Sequence, residues 1–149
     1  MLNPSHPDSD SPSFDFPLLI VVIAGGALGT GLRYLLTALP NFSWYFYTGT
    51  FIANILACSA LGLLTGYLSI AAWIPQRRRE YMGRGLGMGL CGGLSTLSAL
   101  MVEVITTARD ERLWSALIYL VGSFAACIFL AWFGTRCGRR LAKLRGGRQ

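Results

Sequence analysis

The sequence predicts an all-α membrane protein with four transmembrane helices, the third of them broken in mid-membrane. The first observation behind this prediction is a lack of charge. Only 13% of the 149 residues are charged and 53% are hydrophobic, whereas soluble domains are about 25% charged. The second is a set of four long apolar stretches, and the third is a glycine-rich run followed by serine and threonine inside the third stretch.

The four apolar stretches cover residues 17–39, 48–74, 85–106 and 113–135, and Arg33 and Glu103 are their only charged residues. Each stretch is long enough to cross a hydrocarbon core, which takes about 20 helical residues. The backbone in that core must satisfy its own hydrogen bonds, so we expect helices. A closed barrel would need about eight strands.

The chain is predicted to hold one transmembrane domain, residues 17–135, between two cytoplasmic tails. Residues 1–16 are rich in Pro, Ser and Asp and are predicted to be disordered. Residues 136–149 form a basic tail. The first apolar stretch lacks a basic leader, so we interpret it as a retained helix rather than a signal peptide.

The basic residues lie just outside the apolar stretches and predict an orientation. The second loop carries four Arg and the C-terminal tail six Arg or Lys, against three Arg on the opposite side. Cytoplasmic segments carry the excess of Lys and Arg, so both termini are predicted to be cytoplasmic, with the chain in the plasma membrane. The net charge of +6 is then a topology signal, and no nucleic-acid partner is predicted.

The sequence contains no group of residues typical of an enzyme. Its single histidine, His6, lies in the N-terminal tail, and no nucleophile has a base and an orienting acid near it. Residues 87–92 match GxGxxG by letter but follow no strand, so they predict no nucleotide site. The four cysteines form no CxxC pair and are interpreted as small apolar side chains.

Polar side chains recur along three of the predicted helices. They are Thr50, Asn54 and Cys58 on the second, Ser95, Thr96 and Ser98 on the third, and Tyr119, Ser123 and Cys127 on the fourth. All are neutral, so no fixed anion would repel an anionic permeant, and most can donate hydrogen bonds. They either join helices, at about 0.6 kcal/mol per bond, or line a polar path. Three stripes in so small a chain favour the path.

The glycines and Arg33 also have two interpretations each. Gly25/Gly29, Gly62/Gly66 and Gly89/Gly93 are GxxxG pairs, which bring helices close together. The run from Gly92 to Ser95 predicts a helix break, whose freed carbonyl oxygens would suit Na⁺. Arg33, at the end of the first helix, either extends to the membrane surface or attracts anions to a vestibule.

Four segments resemble the CrcB/Fluc family of fluoride channels. They are GGALGTGLRY at 25–34, GTFIAN at 49–54, GLCGGLSTLSALMVE at 89–103 and YLVGSF at 119–124. The third is similar to the family pattern GxxGGxTTFSTFSxE, and the order of all four within a four-span chain makes the resemblance specific.

This resemblance implies a fluoride-specific channel subunit that exports F⁻ passively. It implies an antiparallel dimer with two pores along the subunit interface and a central structural Na⁺, which is not transported. The ligands of that Na⁺ would be the backbone carbonyls of Gly92 and Ser95. The pore asparagine would be Asn54, and the polar track would include Thr50, Ser98, Tyr119 and Ser123.

The chain departs from the family at two phenylalanines of the third helix, which are Leu97 and Leu100 here. Leucine lacks the electropositive ring edge that can face an anion. The charge bias would also insert every copy in one orientation. Together these features predict a heterodimer with a second, related subunit, with a homodimer as the alternative. A small four-helix multidrug-type exporter and a non-conducting structural subunit of a channel stay open as other functions.

Overall fold

A computed structural model of the chain describes residues 15–38, 47–110 and 112–146. The elements in order are α1 (Phe16–Thr37), α2 (Thr48–Ile70), α3 (Gln76–Met82), a π-helical segment (Gly83–Cys91), α4 (Gly92–Leu94), α5 (Leu97–Arg109) and α6 (Leu113–Gly146). The N-terminal tail up to residue 14 and residues 147–149 lie outside the described residues, so disorder in the N-terminal tail stays a prediction.

Four spans are long and apolar enough to cross a membrane: α1, α2, the third span Gln76–Arg109, and α6. Large apolar side chains cover their outer surface; Leu28 is 69% exposed and Ile118 is 71% exposed. A helix that is apolar on its exposed face suits contact with acyl chains rather than water. The prediction of an all-α, multi-pass membrane protein with four transmembrane helices is confirmed.

The third span is not one continuous helix. After α4, Ser95 (φ −75°, ψ 149°) and Thr96 (φ −148°, ψ 121°) are extended, and α5 then resumes. The predicted break is therefore confirmed, but it lies after the glycines rather than at them. Gly92 itself is helical, with φ −66° and ψ −38°.

The glycine run brings the third span into backbone contact with α1. A Cβ added at Gly25 would lie 2.4 Å from the carbonyl oxygen of Gly85, and one added at Gly93 would lie 2.5 Å from that of Gly26. No side chain fits at such distances. These glycines are needed for close approach of two helices, as the GxxxG interpretation expects.

A second close contact joins α2 to α6. A Cβ at Gly62 would lie 2.3 Å from the Ala131 carbonyl oxygen, and one at Gly66 would lie 2.2 Å from that of Thr135. On the facing helix, a Cβ at Gly138 would lie 2.2 Å from the Leu63 carbonyl oxygen. The two helices therefore pack backbone to backbone, and this contact fixes the relative position of their polar stripes.

The structure extends two helices beyond their apolar stretches. The third span begins at Gln76, ahead of the apolar stretch that starts at residue 85. Helix α6 continues to Gly146, so residues 136–146 of the predicted basic tail are helical. Gly134, Gly138 and Ala142 are buried along this part of α6 and keep a small residue at every fourth position. That spacing continues the packing face past the end of the apolar sequence.

Candidate functional site

The candidate site lies where α2, α5 and α6 meet beside the break. In one part of it, side chains from α2 and α6 both bind Glu103 of α5. The Thr50 hydroxyl donates to Glu103 Oε1, and the Tyr119 hydroxyl donates to Glu103 Oε2 at 2.8 Å. Thr50 is 2% exposed and Tyr119 is 3% exposed. Thus the structure brings together two predicted polar-track residues from different helices, joined by a carboxylate from a third.

The sequence prediction left Glu103 out of the polar track, and the structure places its carboxyl group beside Thr50 and Tyr119. Both carboxylate oxygens accept hydrogen bonds, so the hydrogens of the Thr50 and Tyr119 hydroxyls point toward Glu103. A signal for this role exists in the sequence, because Glu103 is the only acidic residue of the four apolar stretches. An ionisable residue inside a membrane span is by default a candidate functional residue.

Asn54 lies one helical turn along α2 from Thr50, and it binds the break itself. Its Nδ2 donates to the Thr96 carbonyl oxygen at 3.0 Å, and the Thr96 amide donates to its Oδ1 at 2.7 Å. One side chain therefore satisfies both polar backbone groups of an extended residue that is only 8% exposed. Nδ2 carries a second N–H, which could donate a hydrogen bond to a permeating anion.

Hydrogen bonds at the break remove helical donors from two nearby carbonyl oxygens, those of Gly92 and Ser95. In a continuous helix the Thr96 amide would donate to the Gly92 carbonyl, and the Ala99 amide to the Ser95 carbonyl. Here the Thr96 amide donates to Asn54, and the Ala99 amide donates to Thr96 Oγ1 at 3.3 Å. The Gly92 and Ser95 carbonyl oxygens thereby lose those helical donors. Carbonyl oxygens of an interrupted membrane helix are suitable ligands for Na⁺.

A concavity of about 230 Å³ opens beside the break. Its lining residues are Asn54, Cys58, Ser95, Thr96, Leu97, Leu100 and Phe124. Of the two leucines at the replaced aromatic positions, Leu97 is 58% exposed and Leu100 is 3% exposed. Phe124 of α6 therefore places an aromatic ring in the concavity that holds both leucines. The sequence prediction included Phe124 in the segment YLVGSF at 119–124 but assigned its ring no role.

The remaining predicted residues make no hydrogen bond to Glu103 or Asn54. Ser98 is exposed, and its Oγ is 3.3 Å from Thr96 Oγ1. Ser123 lies one turn from Tyr119 on α6; its Oγ is buried and has no hydrogen-bond partner among the residues that the structure describes. Arg33 is half-buried in the last turns of α1, and its vestibule role stays a prediction.

Comparison with known proteins gives a consistent result. The CrcB family, described as "CrcB-like protein, Camphor Resistance (CrcB)", matches residues 20–135. A protein of Bifidobacterium longum (strain NCC 2705) named Fluoride-specific ion channel FluC 2 is 42% identical over 131 residues, which are 88% of this chain and 73% of the relative.

Two further relatives are more distant in sequence. Fluoride-specific ion channel FluC 2 of Rhodococcus jostii (strain RHA1) is 36% identical over 118 residues, 79% of this chain and 96% of the relative. Fluoride-specific ion channel FluC of Pyrococcus horikoshii is 32% identical over 123 residues, 83% of this chain and 97% of the relative. The family match reaches into all four spans and includes every residue of the candidate site. The chain belongs to the CrcB family.

Proposed function

We propose that this chain is a subunit of a fluoride-specific ion channel through which F⁻ leaves the cytoplasm. The observation that carries the proposal is the pair of buried polar side chains Asn54 on α2 and Ser123 on α6, in a chain whose relatives are named fluoride-specific ion channels. Hydroxyl and amide N–H groups replace the hydration shell of a small anion by donating hydrogen bonds to it. The buried Ser123 hydroxyl is suited to that use.

Export through such a path needs no energy input and would reduce fluoride toxicity. HF is a weak acid that crosses membranes as a neutral molecule and dissociates in a less acidic cytosol, where F⁻ is trapped. An inside-negative potential favours anion exit by about 2.3 kcal/mol per 100 mV. That energy corresponds to a concentration ratio on the order of fifty.

Glu103 supports a second candidate function, a small multidrug-type exporter, because proton-coupled exporters need a carboxylate within the membrane. Against it, both oxygens of Glu103 accept hydrogen bonds inside the subunit, from Thr50 and Tyr119. The matched relatives are also named as channels. The absent phenylalanines at Leu97 and Leu100 support a third candidate, a structural subunit that does not conduct.

Fluoride efflux from liposomes separates these candidates. We expect a preparation containing this chain and its partner to release F⁻ but not Cl⁻ when a K⁺ ionophore balances the charge. Empty liposomes and the partner alone are the controls. Efflux equal to that of the partner alone would assign this chain a structural role, and uptake of a cationic drug driven by a pH gradient would favour the exporter.

We also infer a structural Na⁺ at the break, held by the backbone carbonyls of Gly92 and Ser95. The redirection of the Thr96 and Ala99 amides supports this inference, because it frees these two oxygens of their helical donors. The ligands are backbone atoms, so Ser95→Ala should keep the rise in unfolding temperature that Na⁺ gives the wild type. The measurement compares the unfolding temperature in a Na⁺ solution with that in a solution of a large organic cation. No Na⁺ effect in the wild type, or its loss in Ser95→Ala, would contradict the site.

For the assembly we propose an antiparallel heterodimer in the plasma membrane, with both termini of this chain in the cytoplasm. The charge bias of ten basic residues against three supports a single orientation for this chain. The exposed Leu97 beside the break supports a partner that supplies the aromatic ring edge there.

A further inference from the structure

The end of the bundle formed by the last turns of α2 and α6 is strongly basic, and the proposed channel function does not use it. Helix α3 follows α2 at this end. Helix α1 also begins here, because Val21, near the start of α1, lies beside Gly85, which follows α3 closely in the chain. Among the described residues, nine basic side chains lie at this end against two acidic ones, Asp15 and Glu80. The basic residues are Arg77, Arg78, Arg79, Arg84, Arg136, Arg139, Arg140, Lys143 and Arg145.

A groove with an apolar floor lies among these charges, between α2 and the end of α6. Its volume is about 550 Å³, and its lining residues are Tyr67, Leu141, Leu144 and Arg145. Leu141 is 49% exposed and Leu144 is 71% exposed. Arg145 Nη1 donates to the Tyr67 hydroxyl at 3.4 Å, which holds the guanidinium at the groove. A guanidinium has five N–H donors, so others remain for an anionic group.

Trp132 and Arg136 indicate the depth of this groove in the membrane. The Arg136 guanidinium lies 4.1 Å from the centroid of the Trp132 ring, and Trp132 is 50% exposed. Tryptophan and arginine side chains of this kind mark the membrane–water interface. Arg140 lies about 6 Å further along the helix axis, which is the depth of one headgroup layer. Helical side chains lean toward the N-terminus, so Arg145 leans back toward that layer.

We propose that this groove binds an anionic phospholipid from the leaflet at this end of the bundle. The headgroup phosphate lies against Arg145 and Arg140, and an acyl chain lies along Leu141, Leu144 and Tyr67. Arg140 precedes Leu144 by four residues, so both are on adjoining parts of one helix face. A free phosphate would leave the apolar floor exposed, whereas a phospholipid covers the floor and the cationic rim together. Each basic residue beside an anionic headgroup strengthens binding about fivefold.

Native mass spectrometry of the full-length chain, purified in detergent, tests the proposal. The protein is mixed with equal amounts of phosphatidylglycerol and phosphatidylcholine of the same acyl chains. We expect the wild type to retain phosphatidylglycerol at least about fivefold more than phosphatidylcholine. The Arg140→Gln/Arg145→Gln variant should lose most of that preference. Arg109→Gln removes a charge at the end of α5, at the opposite end of the bundle, and should keep it.

Salt dependence provides a measurement that needs no variant. The preference of the wild type for phosphatidylglycerol should fall as salt rises, because ions screen the attraction between exposed charges. Equal retention of the two lipids, or a preference that neither salt nor the double variant reduces, would overturn the proposal. Displacement of phosphatidylglycerol by inorganic phosphate at equal concentration would assign the groove to a free anion instead. None of these measurements involves fluoride, so they can fail while the channel function stands.

Discussion

At the scale of single residues, Asn54 stabilises the helix break in addition to offering a donor to an ion. It satisfies the amide and the carbonyl of Thr96 where the backbone leaves the helix. A buried polar group that loses its partner costs about 1–3 kcal/mol. Asn54→Leu leaves two such groups without their partner, so we expect the free energy of unfolding to fall by roughly 2–6 kcal/mol and fluoride efflux to be lost.

Thr65→Val is the matched control for that prediction. The Thr65 hydroxyl is exposed and donates to the Leu61 carbonyl of its own helix, so its removal should change neither unfolding nor efflux. Unfolding in detergent and efflux from liposomes are the two measurements. An Asn54→Leu variant that unfolds like the wild type but conducts no fluoride would show that the bond to Thr96 contributes nothing to stability.

Thr50 and Tyr119 are coupled through Glu103, and this coupling can be measured. Both hydroxyls donate to the same carboxylate, so the effects of removing them should not add. A double-mutant cycle of Thr50→Val and Tyr119→Phe should give an interaction energy of about 0.5–3 kcal/mol in unfolding. A cycle of Thr50→Val with Thr135→Val serves as the control, because the Thr135 hydroxyl donates to the Ala131 carbonyl of its own helix. Additivity in both cycles would remove Glu103 as the link.

Sequence reasoning could find some of these residues but not their pairing. The four-residue spacing on α2 and α6 predicted Thr50, Asn54, Tyr119 and Ser123 as interior positions, and all four are buried. The bond of Asn54 to Thr96 joins residues 42 apart in the chain, and no local period encodes such a contact. Glu103 was left out of the stripes because it lies near the end of the third apolar stretch, residues 85–106.

At the scale of elements, the contact of α2 with α6 depends on glycines that allow no side chain. A Cβ at Gly66 would lie 2.2 Å from a backbone oxygen, which cannot move as a side chain would. Gly66→Ala should therefore lower the free energy of unfolding by about 1–3 kcal/mol, as overpacking does. Gly122→Ala is the control, since a Cβ there meets nothing within 4 Å. Equal unfolding of the two variants would contradict the close packing.

The element boundaries show which features a sequence can and cannot reveal. Apolar length predicted four spans, because the hydrocarbon thickness sets that length. It missed the last part of α6, where Gly138 packs against α2 and Ala142 is buried after the apolar residues end. The π-helical form of Gly83–Cys91 was also missed. Four of its nine residues are glycine, at every second position, so its sequence carries little helical periodicity.

At the scale of the whole molecule, the charge bias predicts one orientation. A reporter that works only outside the cytoplasm, fused after Gln149, should give no signal, because ten of the thirteen basic residues lie on the side of both termini. A reporter that works only inside the cytoplasm is the control. Equal signals from the two fusions would mean that the chain inserts both ways.

A fixed orientation has a consequence for assembly. Two copies of a chain that inserts one way are parallel in the membrane, so they cannot form an antiparallel dimer. The proposed partner must therefore carry the opposite charge bias, and it should have phenylalanines at the positions of Leu97 and Leu100. A host that lacks its own fluoride channels should become fluoride-resistant only when both chains are expressed. Full resistance from this chain alone would overturn the heterodimer.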